Sequence, residues 1–105
     1  MNISEDEYAL IESDRKHYEQ TMHKAKVLHR LYNNPDFNEL IVNGLLNTDL
    51  RYYSIEWAKT NSTEYQNKMQ CLLMLQLLLD DIDKQASMAE KSLNDLKHYL
   101  DTTED

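Results

Sequence analysis

From Thr63 to Asp101 the chain reads TEYQNKMQCLLMLQLLLDDIDKQASMAEKSLNDLKHYLD, without a glycine or a proline. A seven-residue repeat runs through it. One position of the repeat is Tyr65, Leu72, Leu79, Ala86, Leu93 and Leu100, and a second is Lys68, Leu75, Ile82, Ala89 and Leu96. Ten of these eleven positions are apolar or aromatic, which is the pattern of a coiled-coil-type helix with a heptad seam. Thr63 and Gln66 stand in capping-box spacing at its start. A helix of ~38 residues extends about 57 Å, whereas a compact globule of this length is only about 35 Å across. Such a helix does not fit inside the globule, so the sequence predicts an elongated hairpin or an intermolecular bundle.

The stretch from Leu72 to Leu79 is apolar around almost the whole helix, and one neighbouring helix could not cover it. The cover expected is the first helix on one side and short middle helices on the other, with self-association as the alternative. Beyond Asp80 the seam narrows to Ala86 and Ala89, small residues that let another helix approach closely.

Upstream, residues 4–32 predict a first helix. Ser4 and Glu7 form a capping-box pair, and Tyr8, Ile11, Tyr18, Met22, Ala25, Leu28 and Tyr32 recur at three- and four-residue steps, with Arg15 interrupting the stripe. Asn33-Asn34-Pro35 stops that helix, because proline disfavours helical geometry at the residue before it. Asp36 then reads as an N-cap, with Glu39 completing a D-x-x-E pattern. Two short helices are expected, over 36–46 and 49–59, separated by a turn or cap at Asn47-Thr48-Asp49. The second shows apolar residues on two sides, Tyr53 and Trp57 on one and Tyr52 and Ile55 on the other, so it should be sandwiched. The expected architecture is a single all-α domain over 1–105: an elongated helical hairpin with a long C-terminal coiled-coil-type helix (63–101) and two short helices at the connecting end.

Composition narrows the function. With one Gly and one Pro in 105 residues, neither a β-rich fold nor a glycine-rich phosphate loop can be built. The formal net charge of -8 argues against direct nucleic-acid or anionic-membrane binding. That charge is unevenly spread: residues 1–14 are acidic, residues 15–30 hold Arg15, Lys16, Lys24, Lys26 and Arg30 against Glu19 alone, and residues 80–105 are acidic again. The basic band would pair with acids of the fold or dock a polyanion, and it also breaks the continuous acidic surface that mimicry of DNA requires.

Chemistry is hard to find. The single Cys71 excludes an internal disulfide or a cysteine-based zinc site, and its Leu-rich setting reads as a small core hydrophobe. His17, His23 and His29 step by six residues, about 240° around a helix, so they do not share the face a metal pair needs. Asp80-Asp81-Ile82-Asp83 lacks the alternating donors, glycine and terminal Glu of a calcium loop. No catalytic, cofactor or metal residues are expected, and the chain reads as non-enzymatic. The N-terminus has no basic start and no apolar core of a secretory signal, and the longest apolar run, Cys71 to Leu79, is far short of a membrane span. An intracellular, soluble protein is expected. The interface candidates are Phe37, Leu40, Ile41, Tyr52, Tyr53 and Trp57 as a rigid head, with Leu72, Leu75, Leu79 and Ile82 along the seam. The aromatics among them either anchor a partner or plug the end of the hairpin.

Asn34-Pro35-Asp36-Phe37, followed by Leu40-Ile41 and Gly44, resembles an NPDF-x-x-LI-x-x-G box of small helical proteins of tailed bacteriophages. In that family a helix precedes the box, a short helix with an Arg follows, and a long C-terminal helix rich in Ala and acids ends the chain. The same order of elements runs here from about Leu28 to Leu100, with Leu45-Leu46 where the family carries an aromatic pair and Arg51 near the family's arginine. The resemblance implies a structural or assembly protein of the virion. Its partners would be capsid, portal or tail proteins and a second copy of itself, and its place the host cytoplasm or the virion. The alternative is a small acidic phage inhibitor of a host polymerase, nuclease or defence protein, binding through the acidic faces.

Overall fold

The computed structural model describes residues 3–103, so the last two acids of the C-terminal run, Glu104 and Asp105, lie outside it. The described chain is all-α, with helices α1 (Glu5–Tyr32), α2 (Pro35–Phe37), α3 (Leu50–Thr60) and α4 (Thr63–Thr103), and a π-helix, Asn38–Asp49, between α2 and α3. At 41 residues α4 is about 62 Å long. By Cα packing the chain falls into two compact units, and α1 and α4 each run through both.

The first unit pairs α1 before Leu28 with α4 after Asp81. Its buried side chains are Ala25, Ala89 and Leu93, and the small alanines are what a close helix–helix approach requires. Ile11, Tyr18 and Met22 on α1, with Ile82, Ala86, Leu96 and Leu100 on α4, are half-buried beside them. The heptad residues therefore face inward. Arg15 fits the stripe because its guanidinium turns back along its own helix, 2.6 Å from Glu12 and 3.2 Å from Glu19, leaving only its aliphatic stem on the inner face. The stripe is shorter than the spacing suggests at its start. Tyr8 is 54% exposed, one turn from the helix end. The Ser4 hydroxyl accepts from the Glu7 N–H at 3.1 Å, as the cap expected there requires.

The second unit runs from Leu28 to Asp81. Asn34, not Asp36, caps its middle segment. The Asn34 Oδ1 accepts from the N–H groups of Asp36 at 2.9 Å and Phe37 at 3.1 Å. Pro35 explains the shift: it fills the first helical position, where its missing N–H costs nothing, and holds Asn34 extended at φ -89°, ψ 120°. The Asn38 side-chain amide donates back to the Tyr32 carbonyl and ties the new segment to the end of α1.

From Pro35 to Thr60 the backbone is helical without a break, so the two short helices expected at 36–46 and 49–59 are one segment. The polar trio Asn47-Thr48-Asp49, read as a turn, is absorbed by the π register. The Thr48 hydroxyl donates to the Asn43 carbonyl five residues back, at 3.0 Å, and the Leu50 N–H reaches the carbonyls of Asn47 and Leu45. α3 ends on Asn61 in the left-handed region (φ 54°), whose N–H bonds the Trp57 carbonyl at 2.7 Å. α4 starts one residue earlier than its capping-box pair implied. The Gln66 N–H meets the Ser62 carbonyl at 3.1 Å, so Ser62 holds the cap position and Thr63 is already helical.

Candidate interaction surface

The middle segment meets the start of α4 through aromatic rings. Tyr52 and Tyr53 of α3 lie 5.6 Å apart, and Tyr65 of α4 sits 6.2 Å from the first and 6.3 Å from the second. The Lys68 ammonium lies 5.4 Å over the Tyr53 ring and 3.2 Å from Glu64, joining a cation–π contact to an ion pair. A hydrogen bond with Tyr52 raises the Tyr65 phenol above its ordinary range, helped by the carboxylates of Glu56 and Glu64. The Glu64 carboxylate likewise raises Lys68. These shifts arise from contacts between neighbours at the surface.

The expected interface residues divide. Phe37 turns onto Tyr32, ring centroids 5.8 Å apart, and is half-buried. Ile41, Tyr53, Trp57, Leu72, Leu75, Leu79 and Ile82 are also half-buried. Val42 and Leu46 of the π-helix line a groove of about 220 Å³ with Tyr32, Gln76, Leu79 and Asp80, so the seam here is covered from within the unit. Leu40 is 65% exposed and Tyr52 is half-exposed, and these two remain open.

The largest departure lies on α4. The run from Leu72 to Leu79 was expected to be covered by the first helix on one side and the middle segment on the other, or by self-association; within the chain Leu73, Met74, Leu77 and Leu78 are left 42%, 56%, 61% and 57% exposed. The reason is angular. The π-helix and α3 meet α4 on the side that carries Tyr65 and Leu79, and at 100° per residue Met74 and Leu77 point the other way. Cys71 is exposed rather than in the core, because it stands one residue before the seam and is rotated toward the same open side. The all-round apolar run had flagged these residues, but their face could only be assigned once the cover was seen.

The π-helix has an acidic outer side. Asp36, Glu39 and Asp49 surround an open groove of about 420 Å³ with Leu40 and Gly44. A Cβ on Gly44 would stand 2.9 Å from the Glu39 carbonyl oxygen, so the only glycine of the chain sits where the wider register brings backbone close. His17, His23 and His29 are all exposed, and among the described residues no three or more His, Cys, Asp or Glu side chains converge on a metal-sized space. None of the described helices is long and apolar enough to cross a membrane. No protein-family model, curated protein or solved structure matches the chain.

Proposed function

We propose that this chain is a non-enzymatic structural or assembly protein of a tailed bacteriophage, acting by laying apolar helical faces against capsid, portal or tail proteins. The observation that carries the reading is the apolar surface left open on well-capped helices. Leu40 on the π-helix, Tyr52 and Ile55 on α3, and Met74, Leu77 and Leu78 on α4 are about half to two-thirds exposed. Contiguous exposed apolar side chains mark interaction sites, and Met74, Leu77 and Leu78 lie within two turns of one helix. The phage assignment rests on the Asn34-Pro35-Asp36-Phe37 box.

The test is affinity capture with tagged protein from host cells before and after phage infection, read by mass spectrometry. Recovery of capsid, portal or tail proteins only after infection is expected, and recovery of none of them would contradict the proposal. The acidic groove of Asp36, Glu39 and Asp49 favours a second reading, inhibition of a host enzyme through a basic surface. In that case a host enzyme is captured from uninfected cells, and its binding weakens steeply with salt.

A further inference from the structure

We propose that the middle segment is a two-register switch: when Asn38–Asp49 passes from π to α geometry, α3 rolls by about half a turn and exchanges the apolar face it presents to water. The π-helix is 12 residues long, whereas π turns ordinarily occur singly inside α-helices, frequently at functional sites. A π turn holds nearly one residue more than the 3.6 of an α turn, so these residues make about 2.8 turns in place of about 3.3. α3 is apolar on two sides. Tyr53 and Trp57 are half-buried on the side that meets Tyr65 of α4, and Tyr52 and Ile55 are 51% and 47% exposed on the other. Ile55 stands about 200° from Tyr53 and about 160° from Trp57 around the helix. The half turn released by the change of register therefore carries Ile55 to the place between them.

Each register has its own support in the chain. In the π form Gly44 carries no Cβ to meet the Glu39 carbonyl oxygen, and the Thr48 hydroxyl bonds the Asn43 carbonyl five residues back. Tyr53 also keeps its contacts with the Tyr65 ring and the Lys68 ammonium. The α form regains bonds four residues apart along the segment and turns Ile55 and Ala58 toward α4. Arg51 and Lys59, four residues to either side of Ile55, move inward with it on their aliphatic stems, a cost that keeps the α form the minor state. Two non-helical residues bracket the segment, Asn34 at φ -89°, ψ 120° and Asn61 at φ 54°, ψ 29°. They are the hinges that take up the roll and the added length. A partner that grips Tyr52 and Ile55 holds the π register, and one that takes Trp57 holds the α register, so the segment offers two surfaces and its partner selects between them.

The test uses the purified full chain without any other protein, so it stands or falls separately from the phage assignment. Trp57 is the only tryptophan, and fluorotryptophan in its place gives a single fluorine probe of the face that α3 turns to α4. Saturation-transfer fluorine NMR should find a second resonance, populated at about 0.1–10%. Gly44→Ala crowds the π register and favours the α one, and should raise that population about tenfold or more. Thr48→Ala removes the bond that spans five residues and should raise it severalfold. Ile55→Glu leaves the π form untouched, because Ile55 is exposed there, but it sets a charge against α4 in the α form and should abolish the second resonance. A single resonance in the wild type and in both Gly44→Ala and Thr48→Ala would overturn the proposal. So would a second resonance that survives Ile55→Glu, since that is what unfolded chain gives.

Discussion

Gly44→Ala separates a π-helical middle segment from an ordinary helix by the sign of its effect. In an α-helix interior, alanine is better than glycine by about 1 kcal/mol, because it leaves less backbone freedom to lose. The π register reverses this. The added methyl carbon would stand 2.9 Å from the Glu39 carbonyl oxygen, and the obstacle is backbone that cannot rotate away. Overpacking of this kind costs about 1–3 kcal/mol. The net expectation is a loss of about 1 kcal/mol, a fall in Tm of roughly 4–8 °C for a domain of this size. Thermal melts followed by circular dichroism measure it directly. A rise in Tm would refute the reasoning, because it would mean that the segment settles into α geometry once the methyl group is present.

The remaining predictions concern the core, the cap, the seam and the tyrosines. Leu28→Ala should cost about 3 kcal/mol in chemical denaturation, since Leu28, 3% exposed, is one of four buried apolar side chains among the described residues. Asn34→Ala removes the acceptor of two N–H groups and should cost about 1–2 kcal/mol, with the loss of protection read by amide exchange at Asp36 and Phe37. Leu79→Asp places a charge on the covered seam and should lower stability by several kcal/mol, whereas a variant melting like wild type would show that the seam is not packed. The Tyr65 phenol is raised in the folded chain, so its stabilising contribution is complete below the unfolded tyrosine pKa and disappears as pH rises through the folded value. Ultraviolet titration should show Tyr65 ionising late, and Tyr52→Phe should bring it back toward the ordinary range.

Much of this fold is legible in the sequence because it is written in period. The heptad from Tyr65 to Leu100 marks the low-exposure side of α4 at every position but Lys68, whose charge holds it at Glu64 and over the Tyr53 ring. The limits of α1 follow from Ser4 and Asn33-Asn34-Pro35, residues with strong local preferences, and the start of α4 falls within one residue of where Thr63 and Gln66 put it. The middle segment is harder to read for two reasons. Asn47-Thr48-Asp49 has turn chemistry, and nothing local announces a wider helix that absorbs those polar groups through bonds five residues long. Gly44 was the available signal, since a lone glycine inside a helical pattern points to close backbone approach. The open face of α4 is a tertiary outcome: the sequence shows that Leu73, Met74, Leu77 and Leu78 need cover, but which side the neighbours take depends on where the π-helix and α3 come to rest.

The central claim is that open apolar side chains, rather than any reactive group, carry the function. The most direct test is affinity capture from phage-infected cells with the wild-type chain and with a chain carrying Leu40→Glu and Ile55→Glu, both outside the α4 patch. These side chains are 65% and 47% exposed, so the fold should survive. The expected result is that wild type recovers capsid, portal or tail proteins and the folded double variant recovers them far less. Equal recovery by the two chains would contradict the account.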